Sequence, residues 1–237
     1  ALLGPRCVMM EGGELAACGE VVERLLGDQV VALSVEGDLS RAGRVSVLAV
    51  SCRRAESCEL LDVQRGCEGC SDFFERSRLK ELLESSTILK IMCGCARASD
   101  VLMHAHGVRL TRVLDLEVLW GLLHPDEEGA ASRERVLERY GPPQAGAKEE
   151  AADDDDGLGD LASFLSPLEV EDDAGPAEWR ERPLPADLER RAREAPVGLL
   201  EAAKKMLAEL GTPARRKEAG QLCAQRVSEL RDAPDGT

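Results

Sequence analysis

The chain has 237 residues, 43% hydrophobic and 32% charged, which is ample for a full core and excludes a chain too polar to fold. Its formal charge of −15 is concentrated: residues 149–173 hold eleven Asp and Glu and no Lys or Arg, leaving −4 elsewhere, which excludes a uniformly basic nucleic-acid-coating surface without forbidding a local basic groove. Aromatics are 3%, namely Phe73, Phe74, Trp120, Tyr140, Phe164 and Trp179, too few for an extended base-stacking platform.

The first elements read as an apolar run, Cys7 to Met10, and a helix carrying Leu15, Cys18, Val21, Val22 and Leu25, closed by Gly27-Asp28. Strands follow at Val30–Val35, Val45–Val50 and Cys58–Val63, separated by a turn over Gly37–Gly43. Strand, turn, strand, turn, strand is an antiparallel meander. A helix over Asp72–Ser85 with Ser71 as N-cap places Phe73, Leu79, Leu82 and Leu83 inward.

Residues 88–119 organise the rest. Leu89, Ile91 and Met92 predict a buried strand, and Ala98, Val101, Leu102 and Ala105 fall on one helix face that Gly107 terminates. Arg109–Leu116 reads as the next strand, giving a strand, helix, strand unit of crossover size. Leu116–Leu123 and Ser132–Tyr140 predict two further helices. From Gln144 to about Gly175 periodicity vanishes, and the composition predicts a disordered acidic insertion over 147–175, with 161–168 its one apolar island. Order returns at Trp179. A helix carries Leu199, Leu200, Ala203, Met206, Leu207 and Leu210 up to Gly211; Thr212-Pro213 then opens a last helix, Ala214–Leu230, whose apolar face is thin at Leu222, Val227 and Leu230.

The frame Lys90, Ile91, Met92, Cys95, Ser99, Asp100, Gly107, Val108, Leu110, Val113 and Asp115 resembles the second motif region of the DEDD-type 3′-5′ exonucleases. Trp179, Arg182, Pro183, Leu184, Pro185 and Leu188 match the lead-in to the third motif of that family. The resemblance is nearest to its piRNA-biogenesis, Egalitarian-like branch. It implies an α/β, ribonuclease-H-like fold with a mixed sheet flanked by helices, formed by 1–146 and 176–237 as one domain. The family holds two divalent metals on four carboxylates. In register with those positions stand Ser34, Glu36, Gly94 and Ala195, with Arg191 in place of a tyrosine. Only Glu36 is acidic. On that ground no catalytic, cofactor or metal residue is assigned, and the expectation is a non-enzyme: a pseudo-exonuclease acting as an RNA-binding adaptor or scaffold in piRNA processing. The resemblance further implies single-stranded RNA as partner, a Tudor-domain protein complex and a homodimer, with neither membrane nor DNA. The alternatives are an active metal-dependent exoribonuclease with carboxylates relocated to Asp38, Asp100 or Asp115, and a pure protein-interaction module.

Four smaller readings remain. Cys67 and Cys70 are half of a zinc site if Cys93, Cys95, His104 or His106 complete it, and otherwise loop cysteines. His104 and His106, two apart on a helix, face different ways and read as helix-end residues favouring the dipole. Arg41, Arg44, Arg53, Arg54, Arg109 and Arg112, or the tract Arg190, Arg191 and Arg193, are candidates to track a phosphate backbone, against the plainer reading of solvated surface. Nine cysteines in irregular spacing and no membrane-spanning apolar run fit a reduced, cytoplasmic setting, and the start at Ala1 without methionine predicts a fragment.

Overall fold

The apolar, β-branched runs do form the meander: Val30–Gly37 (β1), Val45–Cys52 (β2) and Cys58–Asp62 (β3) pair antiparallel in sequence order. The computed structural model describes residues 15–52, 58–127, 131–142, 175 and 177–234; Cys7–Met10, Arg53, Arg54 and nearly all of the acidic stretch lie outside them. Leu89–Met92 (β4) and Val113–Asp115 (β5) add to the other edge of β1 as parallel strands, giving the order β3-β2-β1-β4-β5. All eight residues of β2 are buried, as expected of a strand covered on both faces.

Alternation along β1 sends Val31, Leu33 and Val35 to one side and Ala32, Ser34 and Glu36 to the other. The first side meets Leu15–Leu26 (α1), Leu79–Glu84 (α4) and Cys95–His106 (α5) through Val22, Leu25, Leu79, Leu82, Val101 and Leu102. Burying each such leucine contributes roughly 1.5–3 kcal/mol. The second side is covered by Leu116–Leu123 (α6), Arg133–Tyr140 (α7) and Leu199–Leu210 (α9), packed on Ala32 and Ile91. Beside them Ala186–Val197 (α8) lays Leu188 and Ala192 over Val47, Ala49, Cys58 and Leu60. Pro213–Glu229 (α10) closes the edge against α5, α6 and β5.

Three polar knots tie these layers. Asp115, fully buried, accepts from the backbone N–H of Gly94 (3.0 Å), Cys95 (2.8 Å) and Glu117 (3.0 Å), so one carboxylate serves the N-termini of both α5 and α6. Arg182 meets Asp62 through two bonds of 2.6 and 2.9 Å, and also donates to Ser46 Oγ at 2.9 Å and to the Trp179 carbonyl at 2.9 Å. Arg41 bonds Asp100 at 3.1 Å and donates to the carbonyls of Leu230 and Ala233.

The sequence reading needs correction in four places. Val63–Gly69 (α2) is helical, begun by Asp62 accepting from Arg65 N at 3.0 Å, where a strand end and loop were expected. The helix expected over 72–85 is two, Phe73–Arg76 (α3) and α4, because Arg78 stands at φ 62° and breaks the run; Ser71 caps neither. The strand expected from Arg109 shrinks to three residues, with Arg112 at φ 50° before it. The buried face of α10 is Ala219, Cys223 and Val227, while Leu222 and Leu230 point outward.

Candidate functional site

A cavity of about 270 Å³ opens at the carboxyl ends of β1 and β4, lined by Ser34, Glu36, Cys93 and Gly94 from the strand ends and by Ser132, Arg133 and Glu134 from the start of α7. Leu33, Leu39, Met92, Ala98 and Leu199 supply apolar wall. The place follows from topology: β1 pairs antiparallel with β2 on one side and parallel with β4 on the other, and open α/β sheets leave their crevice where the connections diverge.

Glu36 is the acid at the centre. Its register with β2 shifts at Gly37, a bulge that bends the strand end, and Gly37 at φ 139° has no room for a Cβ against the Arg44 carbonyl and Ser46 nitrogen. Ser34 Oγ donates to Glu36 Oε1 at 2.5 Å, and Arg133 Nη1 lies 3.6 Å from the same oxygen. Burial raises the Glu36 carboxyl above its ordinary range against the pull of Arg133, Ser34 and Arg191; Glu134 adds to the rise. Arg133 also meets Glu134 at 3.4 Å.

Positions far apart in the chain therefore converge as the motif alignment expects. Ser34, Glu36 and Gly94 line one cavity, and Arg191 on α8 acts on Glu36 by charge, with Ala195 buried one turn on. Arg133 and Glu134 were not legible in the sequence. Ser132 signals a helix start by accepting from Arg135 N, but nothing local to 132–134 points to β1.

Gly94 adopts φ 79°, and a Cβ built there would stand 2.9 Å from Glu117 Oε1. Glu117, from the first turn of α6, fills the space of a side chain at 94; burial first and then Asp115 raise its carboxyl, and Arg226 answers it at 3.5 Å. Gly94→Asp is accordingly expected to lower stability by about 2 kcal/mol, from the left-handed backbone and the like charge. Thermal melts of Gly94→Asp and of Gly94→Asp with Glu117→Ala check it, the second recovering the electrostatic share.

The relocated-carboxylate candidates are engaged elsewhere. Asp38 holds Ser40 and Arg180, Asp100 holds Arg41, and Asp115 caps two helices. Among the described residues no three His, Cys, Asp or Glu side chains converge as a metal requires. The residues present thus do not fit the pair of divalent ions that the resemblance implies. Nor is the zinc set assembled: among the described residues Cys67 and Cys70 join no group of three such side chains.

His104 bonds the Arg231 carbonyl at 3.0 Å, and His106 packs on Phe74 and accepts from Val45 N at 3.4 Å. Far from being a cation on the helix dipole, His106 is pushed down to about 4 by burial and by Arg44. A histidine held neutral by folding loses its stabilisation as pH falls from about 6.5 towards 4, by about 1–2 kcal/mol for a ring partly screened by solvent. Urea melts at pH 7 and 4.5 should show this slope, and His106→Gln should flatten it. Of the arginine patch, Arg41 is committed to the C-terminal knot; Arg190 pairs with Glu194 and Arg193 with Glu189.

The fold is the ribonuclease-H-like 3′-5′ exonuclease fold, a mixed sheet flanked by helices. Trypanosoma brucei RNase D in complex with RNA U12 has a similar structure, with TM-score 0.66 and 21% identity over 95% of this chain and 70% of that one. The catalytic core of RRP6 from Trypanosoma brucei gives 0.68 and 14%, over 96% and 53%. Escherichia coli RNase D, described as an exoribonuclease involved in structured RNA processing, gives 0.64 and 13%, over 97% of this chain and 51% of that one. No family model and no curated protein matches. These likenesses overturn the expectation of a non-enzyme, because that expectation rested on aligned residues alone and the fold is that of a described exoribonuclease, Escherichia coli RNase D. No helix among the described residues is long and apolar enough to cross a membrane.

Proposed function

We propose that this chain binds the end of a single-stranded RNA in the cleft at the carboxyl ends of β1 and β4 and serves in RNA processing. The observation that carries the reading is the cleft itself: a nucleotide-sized cavity with an apolar wall, lined by Ser34 and Glu36 and by Arg133 3.6 Å from that carboxylate. The structure of Trypanosoma brucei RNase D with RNA U12 supports RNA as the ligand class. Placement beside Tudor-domain proteins in piRNA processing, and a homodimer, rest on the motif resemblance alone, and the acidic insertion at 147–175 rests on composition.

The test is fluorescence anisotropy with a labelled single-stranded RNA and with the same RNA in duplex, the products being run on a denaturing gel. Single-strand preference supports the proposal, and equal or absent binding sinks it. Shortening from the 3′ end would favour hydrolysis as the cleft's task, with Glu117 as the first residue to replace because its carboxylate stands at the Gly94 corner.

A further inference from the structure

A phosphate entering a half-buried cleft has to find positive charge there. At this cleft the charge comes first from Arg133. Arg133, the first residue of α7, lines the cavity 3.6 Å from Glu36, and Arg191 acts on the same carboxylate from α8. The start of α7 adds the partial positive charge of a helix N-terminus on the same wall, since Ser132, Arg133 and Glu134 all line the cavity. A guanidinium stays charged at any working pH and offers a planar pair of donors to phosphate oxygens.

Arg133 pairs with two carboxylates among its contacts. The Glu134 side chain is 61% exposed, so its pairing is screened and weak. Glu36 is only 17% exposed and is the counter-ion that matters. With Ser34 already donating to it, Glu36 has a partner that stays when the arginine turns to another anion.

We infer that Arg133 holds an RNA phosphate in this cavity without a divalent cation, Glu36 being the internal counter-ion that the phosphate displaces and Arg191 adding positive charge from α8. This rests on the RNA-binding reading above and adds to it what recognises the ligand. It also accounts for the mismatch with a two-metal site: where the related frame needs clustered negative charge, Arg133 stands 3.6 Å from Glu36.

The experiment measures affinity for a short single-stranded RNA by anisotropy, in millimolar magnesium and in EDTA at matched ionic strength. The two affinities should agree within about twofold, since counter-ion release sets the energetics once ionic strength is fixed. Arg133→Gln should weaken binding by about five- to tenfold and reduce the log–log salt slope by about 0.7, the value of one lost single-strand phosphate contact, and Arg191→Gln should weaken it less. Glu36→Gln should tighten binding by about threefold, by removing the competing charge. Arg133→Lys, which keeps the charge and loses the fork, should fall between wild type and Arg133→Gln, so a folding defect in the glutamine variant does not decide the matter. A metal-held phosphate reverses these signs: binding that needs magnesium, or that Glu36→Gln weakens, overturns the inference while leaving the RNA-binding reading intact. Absence of RNA binding under every condition overturns both.

Discussion

Asp115→Ala is expected to destabilise the fold by about 4 kcal/mol, well beyond the cost of an ordinary helix cap. The carboxylate accepts three backbone N–H bonds from two helices, and the residue is fully buried, so water cannot replace it. Each orphaned buried donor costs about 1–3 kcal/mol. Asp115→Asn keeps one acceptor oxygen and turns an amide NH₂ towards a donor, and should cost roughly half as much. Urea denaturation of the three proteins checks the order; a loss below about 1 kcal/mol in the alanine variant would mean that the two helix starts do not depend on this residue. The loss should also be felt at the cleft, because Gly94, which lines it, and Cys95 are held in place by the same oxygens.

The second large effect belongs to Arg182 and Asp62. Their side chains are 8% and 3% exposed, and the pair is bidentate. Removing either partner strands a buried charge, at about 3–5 kcal/mol. The double variant should cost much less than the two losses added, with a coupling above about 2 kcal/mol. Additive losses would show that the two groups act separately. Since Asp62 also begins α2 by accepting from Arg65 N, its loss should exceed that of Arg182 slightly. The pair has a bearing on function: with Trp179, Leu184 and Leu188 it fixes the start of α8 on the sheet, and α8 carries Arg191 to Glu36.

Much of this was legible from the sequence. The β-branched runs of β1 and β2 and the helical spacing of Ala98, Val101 and Leu102 up to Gly107 express local geometry, and they survive in the fold. The motif alignment brought Ser34, Glu36 and Gly94 to one cavity because the strands that carry them are adjacent and parallel. What was not legible depends on tertiary partners. The break at Arg78 carries no glycine or proline to announce it, and α2 hides in a stretch with two glycines and two cysteines. On α10 the leucines drew the eye, yet the face that packs is Ala219, Cys223 and Val227, whose small side chains let Cys223 Sγ come within 3.3 Å of Asp115 N. Arg133 belongs to a helix whose sequence says only that it is amphipathic, and its meeting with Glu36 is a product of the sheet.

The C-terminal knot has a consequence for synthesis in the cell. Arg41 waits on carbonyls 189 and 192 residues downstream, and Arg231 on the carbonyl of Leu110, 121 residues upstream. Contacts of such sequence separation form late, so a nascent chain halted before Pro213 would present α5 with its α10 flank bare, and Arg41 and Asp100 would be the places where a chaperone finds it unfinished.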